Sequence, residues 1–234
     1  MIANDRAFIA KCIEWDVVNW SKALRYWRIH SKIGEGNLEC LELGGNHGGL
    51  SLWLASMNNR VICSDLTDPQ NRASQLHSLY PTGDLISYQA IDATAIPYEN
   101  KFDIVVFKSI LGGISRNGRD DLKHQTIGQI LKALKPGGTL LFAENLESSR
   151  LHQWVRRKFT KWGESWNYLN RSEIEPMFVG FESTEIAMAG FFGTFGRTEV
   201  QRNILGKIDT LIFDKILPRG LRYIVFGVAR KKSH

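Results

Sequence analysis

A chain of 234 residues, 43% hydrophobic and 23% charged, has enough apolar material for one large folded domain. Nothing in it approaches the ~18 consecutive apolar residues of a membrane-spanning helix, and its first residues lack the apolar segment of a secretory signal, so a cytoplasmic protein is expected. The net charge of +6 is uneven: residues 1–149 hold 15 Lys/Arg against 16 Asp/Glu, and residues 150–234 hold 15 against 8. Such an excess in the last third points to an anionic partner, whether a phosphate-bearing substrate, nucleic acid or a membrane surface. Cys12, Cys40 and Cys63 are odd in number and not spaced as metal ligands, so they read as reduced thiols and no metal is expected.

In chain order, Phe8, Ile9, Cys12, Ile13 and Val17, then Trp20, Leu24 and Trp27, recur at three- and four-residue steps and predict one or two helices over residues 5–30. With Trp15 and Tyr26 they form an aromatic cluster that reads first as core. An apolar run, Leu38, Cys40, Leu41 and Leu43, then stops at Gly44, Gly45, Gly48 and Gly49, and Leu50, Leu52, Trp53, Leu54 and Met57 begin a helical pattern. Strand, tight turn and helix place that turn at the carboxyl edge of an open sheet, where ligands bind, and glycine lets the backbone turn sharply under a ligand. Gly44-x-Asn46-x-Gly48 lacks the middle glycine of the dinucleotide fingerprint, although Asn tolerates left-handed angles. Glu42 is the one carboxylate near the end of this strand.

Arg60–Asp65 is a short apolar strand, and Asp65, with Leu66 beside it, stands 17 residues after Gly48, where a doubly wound fold sets an acid against ribose hydroxyls. A helix over about 70–79 precedes a strand at 85–91 and then Asp92-Ala93. Phe102–Phe107 is a buried-strand run closed by Lys108-Ser109 and Gly112-Gly113. Lys108 has two readings: it solvates or pairs at the strand end, or it holds an anionic group as a point charge. A helix from Asp120 to Leu134 is stopped by Lys135-Pro136-Gly137-Gly138, and Thr139–Asn145 is the fifth strand, with Glu144 and Asn145 at its end.

In the last third, Leu151, Trp154, Val155, Phe159 and Trp162 form an apolar stripe among Arg150, Arg156, Arg157, Lys158 and Lys161. Residues 150–162 therefore read either as a membrane-interface helix or as a helix packed on the domain with solvated charges. A helix over 172–178 and a strand over 181–188 follow, then a Gly/Phe loop at 190–196. A helical stretch carries Val200, Ile204, Leu205, Ile208, Leu211 and Ile212 in phase, and the last strand spans 222–230. The long insertion between Met188 and Arg222 suits a substrate lid or a partner surface.

Glu42 with its Gly turn resembles the first motif of the class I S-adenosylmethionine-dependent methyltransferases, an acid followed by Gly-x-Gly-x-Gly, departing from it at Asn46. The helix–Lys-Pro-Gly-Gly–strand passage is a second resemblance, and together they cover residues 38–147. The resemblance implies an α/β fold of Rossmann-like class I type, with a seven-stranded mostly parallel sheet and helices on both faces. It implies one domain: an N-terminal helical lid (1–36) with Arg25 and Tyr26 facing the cleft, a core (37–147), and a C-terminal part (148–234). The implied cofactor is S-adenosylmethionine, held by Glu42, Gly44, Gly45, Asn46, Gly48, Asp65, Leu66, Asp92, Ala93 and Lys108, with Asp92 at the adenine amino group.

The flanks resemble small bacterial methyltransferases of surface saccharides, so the expected acceptor is a small molecule, a hydroxyl of a saccharide or lipid-linked saccharide, anionic or not. The Asn-Pro-Pro-Tyr type motif of amino-group DNA methyltransferases is missing, which argues against nucleic acid. A hydroxyl acceptor must lose a proton, and His124, His152 and Glu144 are the candidate bases, with Asp103 facing away and His47 lying within the cofactor loop. Two other classes stay open: a dinucleotide-dependent oxidoreductase, which would want glycine at Asn46, and a methyltransferase-like adaptor binding RNA or membrane without turnover.

Overall fold

The structure, a computed structural model, describes residues 5–159 and 165–233. Seven strands form one sheet: β1 (Glu39–Leu43), β2 (Arg60–Asp65), β3 (Ile86–Ala90), β4 (Phe102–Lys108), β5 (Leu134–Asn145), β6 (Ser183–Ala189) and β7 (Ile224–Arg230). Their order is β3-β2-β1-β4-β5-β7-β6. β7 runs antiparallel to both its neighbours, while β1 to β5 pair in parallel. This is the expected Rossmann-like sheet, and its order reverses between β1 and β4, the position where such folds open a ligand crevice.

Alternation along the strands assigns each side chain to one of two cores. Cys40, Ile104, Val106, Leu141 and Ala143 face Phe8, Trp20, Trp27 and Trp53, which come from α1 (Arg6–Ile13), α2 (Val17–His30) and α3 (Gly49–Ala55). After α4 (Pro69–His77) and the short α5 (Leu111–Ile114), α6 (Asp121–Ala133) covers the opposite face. There Leu41, Leu43, Val105, Phe107, Leu140 and Phe142 meet Ile127 and Ile130, with α7 (Arg150–Phe159) and α8 (Arg171–Met177) following in the chain and Ile174 of α8 completing the core. Most of the N-terminal aromatics are therefore core: Trp20 and Trp27 are fully buried.

Two expected boundaries shift. Lys135-Pro136-Gly137-Gly138 ends α6 but lies within β5 as a bulge, because Leu134 pairs with Phe102 before regular pairing resumes at Ile104 and Thr139. Gly137 holds φ +74 and donates its N–H to Lys232 O at 3.0 Å, which ties the bulge to the C-terminal residues. In the insertion, α9 (Glu199–Ile208) continues through a π turn, Asp209–Phe213, into Asp214–Ile216. Of the expected basic stripe, Lys161 and Trp162 lie outside the described residues.

Gly227 in β7 is a close-packed point. Trp27 Nε1 donates to its carbonyl at 3.0 Å, and a Cβ there would lie 2.4 Å from Glu185 O and 2.7 Å from the Phe142 ring. Gly227→Ala is expected to cost about 1–3 kcal/mol by overpacking, read as a lower urea midpoint at unchanged slope.

Candidate active site

The site is built on the turn after β1. Gly44 turns the chain at φ +62, and a Cβ there would meet Ile110 at 2.5 Å. Asn46 holds φ 49, so asparagine sustains the left-handed angle in place of glycine. Gly45 donates to Ser64 O at 2.8 Å and so locks the turn to the end of β2. Glu42 shares the face of Cys40 and is 3% exposed. Its carboxylate accepts from Leu50 N (3.2 Å), Ser51 N (2.8 Å) and Ser51 Oγ (2.5 Å), holding the N-terminus of α3. Burial pushes its pKa up to about 7, against the pull of those hydrogen bonds and of Lys108.

The end of α1 lies over this turn so closely that a Cβ on Gly49 would stand 2.1 Å from Cys12 O. Glu14 follows at φ 73, and its carboxylate is 2.5 Å from His47 Nδ1. Lys108, at the end of β4, donates to Ile13 O at 2.9 Å with Trp15 and Trp20 rings 5.8 and 5.5 Å from its Nζ. Desolvation lowers its pKa, opposed by Glu14, Glu42, Asp16 and Glu144. Lys108 thus ties the sheet to the α1–α2 turn as well as facing the cleft.

Between the turn and its cover is a cavity of about 520 Å³, within the range of small-molecule sites. Glu42, Gly44, Gly45, Asn46, Lys108, Ser109 and Asn145 line its sheet side. Glu14 and Trp15 line it from the α1–α2 turn, Arg156 from α7, Trp166 and Tyr168 from the following segment, and Thr194 and Arg202 from the insertion. Ser109 keeps φ 58 and accepts from Asn145 Nδ2 at 2.6 Å. Trp166 lies against Gly112, where a Cβ would meet its Nε1 at 2.1 Å. Arg156 is 5% exposed. Its Nη1 donates to Leu146 O at 2.5 Å, its guanidinium lies 4.2 Å from the Tyr168 ring centroid, and its Nη2 has no hydrogen-bond partner among the described residues.

Of the expected cofactor residues, Glu42, Gly44, Gly45, Asn46 and Lys108 converge on this cavity. Gly48 lies behind the turn, its carbonyl 2.8 Å from His77 Nε2. Asp65, Leu66, Asp92 and Ala93 stand beyond the lining, at the carboxyl ends of β2 and β3. Asp65 accepts from Asn46 N at 2.9 Å and Leu66 N at 2.7 Å, with Arg72 at 3.8 Å. Leu66 is exposed. Asp92 accepts from Thr94 N at 2.8 Å and Thr94 Oγ1 at 2.7 Å.

The three candidate bases are not at the cavity, for different reasons. Glu144 follows Leu140 and Phe142 on the α6 face, where it accepts from Leu111 N at 2.8 Å and Asn145 N at 2.9 Å. Burial pushes its pKa up to about 7, but the alternation that turns Glu144 away turns Asn145 toward the site. His124 is exposed on α6. His152 is buried with Nδ1 2.6 Å from Ser149 Oγ and Nε2 2.8 Å from Phe191 O, and burial pushes its pKa down to about 4, so both ring nitrogens serve packing. Asp103 does face away, accepting from Glu39 N and Lys135 Nζ. Arg25 lies in a separate groove, and Tyr26 stacks on His30 at 4.0 Å, so Glu14 and Trp15 occupy the place expected of them.

Asn145 faces the cleft, as its place at the end of the fifth strand implies. The sequence did not single out Glu14, Trp15, Arg156, Trp166, Tyr168, Thr194 and Arg202 as site residues, and they reach the cavity through the tertiary course of the flanks.

Residues 41–142 match the protein family described as methyltransferase domain. Among proteins of curated function, none matches the sequence. Among solved structures, the chain is similar to a Haemonchus contortus phosphoethanolamine N-methyltransferase in complex with phosphomonomethylethanolamine and S-adenosylhomocysteine, with TM-score 0.61 and 19% identity. That match covers 91% of this chain but spans about half, 53%, of the Haemonchus contortus chain. A putative methyltransferase from Bacillus halodurans C-125 is similar at TM-score 0.61 and 19% identity, over 91% of this chain and 99% of that one. The N-methyltransferase NodS of Bradyrhizobium japonicum WM9 is similar at TM-score 0.56 and 18% identity, over 91% and 96%. At these identities the likeness establishes a common fold.

Proposed function

We propose that this protein transfers a methyl group from S-adenosylmethionine to a hydroxyl of an anionic small molecule, a saccharide or lipid-linked saccharide; the match of residues 41–142 to the methyltransferase domain family and the sheet order shared with methyltransferase structures over 91% of the chain support the methyl transfer. The observation that carries the acceptor class is Arg156. A guanidinium 5% exposed, with one nitrogen unpartnered and no carboxylate paired to it among the described residues, is costly to keep in a fold. An anionic group entering the cavity would compensate it, and planar Arg suits phosphate or carboxylate.

The residues present fit the cofactor by charge and by donor set. Both lining carboxylates, Glu14 and Glu42, lie on the side of the Gly turn, which suits a ligand that carries a sulfonium and an ammonium. Asp65 uses two of its roughly four acceptor positions on backbone N–H groups and keeps others for a ribose diol. Asp92 stands at the end of the next strand for the adenine amino group. When bound, S-adenosylmethionine supplies a methyl group on an excellent leaving group, so the protein's task is alignment and exclusion of water.

Trp15, Trp166 and Tyr168 offer flat faces to a sugar ring, with Ser109, Asn145 and Thr194 to fix its hydroxyls. For the acceptor proton, Glu14 suits better than Glu42: its carboxylate meets His47 at the rim, while the Glu42 oxygens are spent on α3.

The first test is calorimetric titration with S-adenosylhomocysteine. Micromolar binding is expected, weakened at least about tenfold in Asp65→Ala as two charge-assisted hydrogen bonds go; no binding by the folded wild type would remove the reading. A second outcome concerns pH. A cationic ligand favours ionised Glu42, whose pKa is held near 7, so S-adenosylmethionine affinity should rise from pH 6 to 8. Below that pKa the slope approaches about tenfold per unit for one released proton, and Glu42→Gln should flatten it. In a methyl-transfer screen of phosphorylated and neutral saccharides, Arg156→Gln should lower kcat/KM for anionic acceptors by about 10–100-fold and leave S-adenosylhomocysteine affinity unchanged.

A further inference from the structure

Along the end of the insertion, Val200, Ile204, Ile208, Leu211, Ile212 and Ile216 are 36% to 69% exposed. Their spacing at three and four residues places them as one ridge on α9 and its continuation. The acids of this segment are held by the domain, as is Arg202, which turns to the cavity beside the Gly turn. Asp209 is buried and accepts from Asn19 Nδ2 and from the N–H groups of Phe192 and Gly193. Asp214 accepts from Lys22 Nζ and Gly190 N, and Glu199 accepts from Asp16 N and Val17 N. Lys207 and Lys215 remain exposed. The acids are turned inward and the lysines outward.

Beside the ridge, between α2 and α9, runs a groove of about 650 Å³. Arg6, Lys22, Arg25, Arg28 and Lys207 line it, and no carboxylate does among the described residues. Ile29, 73% exposed, stands at its edge. A contiguous apolar ridge of this length is uncommon on a free surface. An apolar ridge flanked by a basic groove is the pattern that settles at the headgroup–acyl boundary of an anionic bilayer.

We propose that the α2–α9 face docks on an anionic phospholipid bilayer, with the ridge entering the interface and the groove receiving phosphate headgroups. Contact is peripheral, since no helix among the described residues is long and apolar enough to cross a membrane. A second copy of the chain fits this face less well, because a two-fold pairing would set the basic grooves against each other. Among the described residues, α7 exposes two large apolar side chains, Leu151 and Trp154, while His152 and Arg156 turn inward. α9 also carries Arg202 into the catalytic cavity and Lys207 into the groove, so one helix joins the two. The inference does not rest on methyl transfer, because docking requires neither cofactor nor acceptor.

The test is flotation of the full chain with vesicles of phosphatidylcholine containing about a quarter phosphatidylglycerol, beside pure phosphatidylcholine. Binding to the anionic vesicles is expected, at least about tenfold weaker to the neutral ones and in high salt. The variant Ile204→Glu/Leu211→Glu changes exposed residues only, and with unaltered circular dichroism it should lose binding about tenfold. Should it misfold, Lys207→Glu/Lys215→Glu must show the same loss. Absence of binding to anionic vesicles, or equal binding by the folded variants, would overturn the proposal. So would loss in Leu151→Glu/Trp154→Glu instead, which would assign docking to α7. A dimer that Ile204→Glu/Leu211→Glu dissociates, without vesicle binding by the wild type, would overturn it in favour of self-association.

Discussion

The cover of the cavity depends on one buried polar network centred on Asp16. This carboxylate accepts from the Tyr223 hydroxyl and, at 3.2 Å, from Asn19 Nδ2. The same Asn19 nitrogen lies 3.0 Å from Asp209, and Asp209 accepts from the N–H groups of Phe192 and Gly193. The α1–α2 turn, the start of β7, the Gly/Phe loop and the end of α9 therefore meet at one point. Burial pushes the Asp16 pKa up to about 7, with the Tyr223 and Asn19 hydrogen bonds pulling the other way. Removing a partner from such a network leaves a buried polar group unsatisfied, which costs more than the bond itself contributed. Trp15, next to Asp16, and Thr194, next to Gly193, are thereby fixed over the sheet.

Beneath that cover the cavity is divided by charge. Glu14 and Glu42 accompany the Gly turn, while Arg156 and Arg202 enter from the C-terminal third. The division follows from chain topology: the first βα turn gathers the acids, and the insertion and α7 deliver the arginines from the basic part of the sequence. The positive excess of residues 150–234 is thus partly spent inside the site and partly displayed on the α2–α9 face.

Most of the fold could be read from local signals because they coincide with what the sheet requires. The apolar runs at 38–43, 60–65 and 102–107 are strands buried on both faces, the glycines at 44–49 permit the turn, and Pro136 stops α6. The expected cofactor residues follow from the same logic, since a strand-end acid is fixed by its position on one strand. The candidate bases lie away from the cavity for reasons that local sequence does not carry: Glu144 and Asn145 are equivalent by sequence position and opposite by pleat. The pairing of β5 with β4 decides which one faces α1. His124 and His152 carried no local sign that one would be solvated and the other spent on Ser149 and Phe191.

By itself the sequence determined the sheet, the Gly turn with Glu42, and the strand-end acids Asp65 and Asp92, because periodicity, turn chemistry and spacing are properties of neighbouring residues. Only the tertiary structure decided what closes the site and what stays outside it. Trp15 meets Arg202 across more than half the chain, at 5.9 Å from ring centroid to guanidinium. Trp166 finds Gly112, and the Val200–Ile216 ridge is left uncovered. Each of these depends on how distant segments pack, and helical spacing is the same whether an apolar stripe is buried or exposed.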